Sequence, residues 1–357
     1  MLKRAIFLIF SLFFLYVFNA FLFPYPVKTV PEGARPAYGF SYSFEQARWY
    51  GYDGRVEFVK LLDRVKFDWV RLPFFWDEMA DEAGNLKVDD LDFAISEAGK
   101  RNVKVIIVLG AKVPFYPEFH LPAAESSKIK FAANVSSTSP IAFDLLTVDS
   151  KIVSHFSKFD NVIYWQVENE PFLPNVGKFR IDKSLINSEV KVVRDYDPKK
   201  RPVILTSDAP TVFNNRWKDL FSVLMPGDAL GTNAYFKTQG TYLVYFSKLN
   251  IPWPKGFYWP VQSWYLLSPN FENLKVYAKK RNVDTWIMEM QAEPYVRDLT
   301  DAAKEKFSFG PGDIVNADNF LKSRGLNSIG FWGANFWIFR EKIGDSSWMN
   351  AVKNIVN

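Results

Sequence analysis

NVIYWQVENEP, residues 161–171, runs from an apolar stretch straight into two carboxylates around one asparagine, and a proline stops it. A strand that is buried on both faces reads as a near-continuous apolar run. Charged groups at its end then stand at the mouth of whatever the sheet forms. Seven further runs of this type follow or precede it: 37–43, 68–74, 103–110, 201–207, 228–235, 284–290 and 328–336. Amphipathic segments lie between them. VDDLDFAISEAGKRN (88–102) gathers Leu91, Ile95 and Ala98 on one face, and 139–159 and 271–282 behave likewise. Eight β-runs alternating with helices predict an α/β protein, a (β/α)8 TIM barrel. A doubly wound open sheet is the alternative, but no glycine-rich phosphate fingerprint follows the first run. The segments 111–138 and 236–270 are long between elements, and long loops at barrel strand ends shape binding sites.

Composition bounds the chemistry. The chain has 357 residues, no cysteine and two histidines, His120 and His155. Disulfides, thiolate catalysis and cysteine-based zinc sites are excluded, and no HExxH occurs. The net charge of +5 comes without a Lys/Arg run or a basic-aromatic stripe, so no nucleic-acid partner is expected. The 34 Phe, 16 Tyr and 12 Trp either fill a large core or line a groove for a flat apolar ligand such as a sugar.

Between Ala5 and Val27 there is no charge, and Lys3 and Arg4 precede the segment. Residues 1–28 therefore read as a transmembrane signal-anchor that holds the rest on the extracytoplasmic side of a membrane. A cleaved leader is the competing reading, with a secreted product. Cleavage after Ala20 would put bulky Phe18 where a small residue is preferred. Residues 29–36 form a Pro/Gly linker, and a single catalytic domain is expected over 37–357.

In a barrel, residues past the C-terminal strand ends share one pocket. Glu168 and Glu170 end the fourth run, and Glu289 and Glu293 end the seventh, WIMEMQAEP. Two carboxyl groups facing each other across such a mouth are what retaining glycoside hydrolysis requires. Acidic residues also fall at strand ends by chance, and the Trp, Asn and Pro around Glu168–Glu170 argue against that account here.

WQVENEP resembles the Asn-Glu-Pro signature that ends the fourth strand of clan A (β/α)8 glycoside hydrolases, and WIMEMQAEP resembles their seventh-strand nucleophile segment. The likeness is closest to family 5, the cellulase-type proteins, and covers most of 37–340. It implies Glu170 as acid/base, Glu289 as nucleophile and Asn169 as a ligand of the sugar hydroxyl beside the reacting carbon. It further implies Arg71 and Tyr235 as partners of the nucleophile, Trp332 or Trp337 as the sugar platform, a carbohydrate substrate and no cofactor. Glu168 would be a supporting residue. MEMQAEP departs from the usual pattern and leaves Glu293 as a rival nucleophile. Glu118 and His120 in GAKVPFYPEFHLP (110–122) either reach a sugar subsite or belong to a proline-braced loop with a satisfied histidine. A non-catalytic carbohydrate-binding barrel and a transglycosylase using the same site are the alternatives to hydrolysis.

Overall fold

The computed structural model describes Arg4 and residues 7–13, 35–81, 84–173, 179–210, 215–236, 238–239, 258–259, 269–296, 298–304 and 309–357. Eight strands form the core: β1 (Ala37–Ser41), β2 (Trp69–Pro73), β3 (Lys104–Leu109), β4 (Val162–Val167), β5 (Val203–Ser207), β6 (Ala229–Ala234), β7 (Asp284–Gln291) and β8 (Ser328–Trp332). Each pairs in parallel with the next, and β8 pairs back onto β1 through Ala37↔Ser328 and Phe40↔Phe331. The sheet is therefore a closed parallel barrel, and the open-sheet alternative is excluded. Helices α1 (Gly54–Arg64), α2 (Asp89–Lys100), α3 (Ala142–Phe156), α4 (Lys183–Tyr196), α5 (Trp217–Leu220), α6 (Phe271–Lys279), α7 (Pro311–Ser323) and α8 (Ser347–Val356) follow the strands in turn.

The apolar runs are continuous because both strand faces are covered. Outward residues such as Val70, Val105, Ile107, Val203 and Ile287 pack under the helices in one large cluster. Inward residues form a second, smaller cluster: Trp69, Ile106, Ile204, Ala229 and Met288, with Tyr164 and Trp286 against it. Three glycines make room for its large members. A Cβ on Gly39 would lie 2.0 Å from the Trp69 indole, one on Gly330 2.3 Å from it, and one on Gly231 2.4 Å from Met288. Interiors are packed too tightly to absorb such overlaps, so the floor of the barrel is a fitted plug rather than a pore.

The ring helices begin where side chains can satisfy their free N–H groups. Asp53 accepts from Arg55 and Val56 ahead of α1, and Asp182 from Ser184 ahead of α4. Ahead of β1, Arg35 ties neighbouring segments together, donating to Val356 O (2.9 Å), Lys66 O (2.8 Å) and Asp68 (2.7 Å).

One expected element differs. The run at 328–336 ends as a strand at Trp332. Gly333 turns the chain at φ +136°, and Ala334–Lys342 is helical. The anchor expected over 1–28 and the linker over 29–36 lie largely outside the described residues. Residues 7–13 are helical, and no helix among the described residues is long and apolar enough to cross a membrane.

Candidate active site

Arg71 is the centre of the barrel mouth. On β2 its neighbours Val70 and Leu72 face the helices, so the strand's period of two turns Arg71 inward. There it is fully buried, and an arginine so placed must spend its donors on acceptors. Nε donates to Gln166 Oε1 (2.8 Å), Nη2 to Asn169 Oδ1 (2.8 Å) and Nη1 to Glu289 Oε1 (2.7 Å). One guanidinium thus ties the ends of β4 and β7 together.

β4 supplies a sharply turned arc. Trp165 faces outward, where its indole N–H donates to Asp197 (3.0 Å), and Gln166 faces inward. Regular alternation then stops. Glu168 and Glu170 both hold positive φ, +56° and +44°, a region that non-glycine residues rarely enter. Glu168 consequently turns its carboxylate away from the mouth. It accepts the N–H groups of Ala111 (2.8 Å) and Lys112 (2.6 Å), and its neighbours are Asp149 of α3 and Glu189 of α4. The turn behind it needs Gly110, whose φ is +118° and whose Cβ would stand 2.6 Å from Glu168 Cδ. Burial pushes Glu168 up to about 7, although the two backbone donors and the Lys112 ammonium oppose the shift.

Glu170 turns back into the mouth. Its N–H donates to Thr206 Oγ1 at the end of β5 (2.8 Å), and Asn233 of β6 donates its side-chain amide to Glu170 Oε1. Burial pushes the Glu170 carboxyl up to about 8. The Lys112 ammonium pulls it down, while the charges of Glu289, Asp208 and Glu118 add to the rise.

β7 breaks its alternation differently. Its register against β6 and β8 shifts at Ile287–Met290, a bulge. Met288 points into the barrel plug, yet the next residue, Glu289, also points inward and meets Arg71. Both oxygens of Glu289 are engaged, Oε1 by Arg71 and Oε2 by the Tyr235 hydroxyl (3.0 Å). Burial, with Glu289 next, raises Tyr235 well above the ordinary phenol value and keeps it a donor.

Arg71, Asn169, Glu170, Tyr235 and Glu289 therefore meet in one network. The two tryptophans part company. Trp332, at the end of β8, is half-buried, with the Phe115 ring 4.5 Å away at a 34° tilt. Trp337 is fully buried, because the helix after Gly333 carries it against Phe331, and its indole N–H donates to Ala292 O (2.7 Å). It cannot serve as a platform. Glu293 lies beside Trp332 and Gly333. Burial lifts it to about 8, with the neighbouring Trp332 opposing the rise, and its Oε2 has no partner among the described residues. His120 is buried, stacked on Phe75 at 4.0 Å and bonded through Nδ1 to Asp77 (3.1 Å), so it belongs to the loop's packing. Glu118 meets the Lys112 ammonium at 3.1 Å.

Four polar contacts of the site escape sequence reading: Gln166, Thr206, Asn233 and Lys112. The first three stand at or near the ends of β4, β5 and β6 and could have been found by applying the strand-end rule to every polar residue there. Lys112 carried only the signal of a lone cation in an apolar, proline-braced stretch. Among the described residues no three His, Asp or Glu side chains stand so as to hold a metal ion.

Comparison with known proteins agrees with this geometry. The chain matches the family model of Cellulase (glycosyl hydrolase family 5) over residues 32–292. It belongs to that family, and its fold is a (β/α)8 barrel. Among solved structures it is similar in fold to cellulose synthase subunit Z from Clostridioides difficile, at 16% identity and a TM-score of 0.53, covering 89% of this chain and 99% of that one. It is also similar to Thermotoga maritima Cel5A in complex with mannotriose, at 16% identity and 0.52, covering 90% and 97%. A β-galactosidase from Marinomonas ef1 aligns at 12% identity and 0.53 over 88% of this chain and 61% of its own length. The chain spans between about half and three-fifths of the β-galactosidases it matches. No curated protein matches the sequence.

Proposed function

We propose that the chain is a retaining glycosidase that cleaves β-linked oligo- or polysaccharides by double displacement. Glu289 attacks the anomeric carbon and forms a glycosyl ester. Glu170 protonates the departing oxygen, then takes a proton from the water that releases the sugar. The observation that carries the reading is the unequal setting of the two carboxyl groups. Glu289 is gripped by a guanidinium and a phenol, whereas Glu170 is held by an amide in a dry site that favours its protonated form. Asn169, whose Oδ1 accepts from Arg71, binds the hydroxyl beside the reacting carbon in this reading. Trp332 offers the flat face for the sugar ring. Glu293 lacks the Arg71 and Tyr235 contacts that Glu289 has, and this favours Glu289 as nucleophile.

Substituting Glu289→Ala and assaying aryl β-glycosides tests the assignment. Loss of turnover with azide rescue, giving the inverted glycosyl azide, supports it. Undiminished turnover rules it out. β-Mannans and β-1,4-glucans are the first polymers to screen, given the family and the mannotriose complex of a similar structure. We propose further that residues 1–28 anchor the domain on the extracytoplasmic side, on the strength of their uncharged span and the Lys3–Arg4 flank. Retention in the membrane fraction, with the domain open to protease from outside, supports this. A soluble cytoplasmic enzyme contradicts it.

A further inference from the structure

Lys112 is 1% exposed, and a buried ammonium is tolerated only where it is paired and hydrogen-bonded. Its polar groups go to three consecutive residues. The backbone N–H donates to Glu168 Oε2 (2.6 Å), the carbonyl accepts the Asn169 N–H (2.6 Å), and Nζ donates to the Glu170 carbonyl (3.2 Å). Nζ also faces Glu118 Oε2 at 3.1 Å. Ordinary loop packing would be served by an apolar side chain at this position. A methionine of similar length would fill the space and leave the two backbone bonds intact. What the lysine adds is a charge beside the arc and a donor to its last carbonyl.

We infer that Lys112 is a positioning residue for the acid/base: it clamps the 168–170 arc at three successive points and sets its ammonium against Glu170, with Glu118 as the counter-charge that tunes it. This rests on the proposed role of Glu170. The groups facing Glu170 come from several elements: Lys112 and Glu118 from the loop after β3, Asp208 from that after β5, Asn233 from β6 and Glu289 from β7. Behind Glu168 stand Asp149 and Glu189. Burial of Glu170 is the largest influence raising it, and Lys112 the largest opposing it. Removing the ammonium must therefore move the carboxyl's midpoint upward, and removing Glu118 must move it downward.

The test follows Glu170 directly in the full chain, by carboxyl 13C NMR of protein labelled at glutamate Cδ, with the signal assigned by loss in Glu170→Gln. Lys112→Met should raise the midpoint by about one pH unit. Lys112→Arg should hold it near the original value, and Glu118→Gln should lower it. Should Lys112→Met fail to fold, the Glu118→Gln shift decides, since Glu118 is partly exposed. A kinetic arm separates positioning from mere stability. Lys112→Met should lose about tenfold more kcat/KM on 4-nitrophenyl than on 2,4-dinitrophenyl β-glycosides, because only the poorer leaving group needs the proton. An unmoved midpoint in both variants, or equal loss on the two substrates, overturns the inference. Wild-type protein inert to every aryl β-glycoside would instead count against the glycosidase reading, and the NMR midpoints would still decide the role of Lys112.

Discussion

The ends of β4 and β7 reach the same mouth by different backbone devices. β4 finishes in two glutamates at positive φ, with an asparagine between them, and so sends Glu168 outward and Glu170 inward. β7 keeps ordinary strand geometry and inserts a bulge, so that Met288 and Glu289 both face in. The first device places its carboxyl against a neutral amide, and the second delivers its carboxyl to a guanidinium. The same residue type thereby receives two chemical characters, and what differs is the neighbour each backbone bend selects.

The largest test of that contrast lies on β7. Glu289→Ala should lower kcat about 10⁴-fold or more, with recovery in azide, whereas Glu293→Gln should retain most of the turnover and Glu293→Ala should gain nothing from azide. Azide rescue at 293 would transfer the role and break the comparison. On β4, Glu170→Gln should cost 10²–10⁴-fold on 4-nitrophenyl glycosides and far less on the dinitrophenyl substrate. In wild-type enzyme, kcat/KM should fall as pH rises through about 8, where the free enzyme's Glu170 loses the proton it must donate. A flat alkaline limb up to pH 10 would mean that the acid lies elsewhere.

Arg71 joins the two ends, so Arg71→Met should weaken both. Removing one partner of a buried ion pair costs roughly 3–5 kcal/mol, and turnover should drop along with stability, as denaturant titration and kinetics will show. A smaller effect concerns the outward face of the β4 arc. Glu168, Asp149 and Glu189 are all fully buried, and burial raises all three above the ordinary carboxyl range. Groups whose folded pKa is raised stabilise the fold most below their unfolded values, near pH 4, and that contribution is lost as pH rises through the folded values. Glu189→Gln or Asp149→Asn should therefore unfold at higher urea than wild type at pH 9, by about 1–3 kcal/mol, with little gain at pH 4. A gain independent of pH would show that packing, not ionisation, is at work.

Much of the fold was legible because burial on both faces leaves a signal that needs no partner to be read. All eight apolar runs are strands, and the amphipathic segments at 88–102 and 271–282 are α2 and α6 with trimmed ends. One stretch departs from this: the run read through GANF as strand, yet Gly333 at positive φ ends β8, and the helix that follows buries Trp337. The strand-end rule located Glu168, Glu170, Glu289 and Glu293, since position along a strand is a local property, whereas Arg71 and Tyr235 came only from the family resemblance. It could not say that Glu168 would leave the mouth, because a period of two holds only while the strand stays regular.

The sequence alone thus determined the order of elements, the closed parallel class they imply and the carboxylates that stand at strand ends. These follow from hydrophobic pattern and chain order, which are written locally. Only the tertiary structure decided which glutamate faces which neighbour, that Trp332 and not Trp337 reaches the mouth, and that Lys112 holds the β4 arc. Those outcomes depend on bends of one or two residues and on contacts between segments dozens to hundreds of positions apart, and no local pattern encodes them.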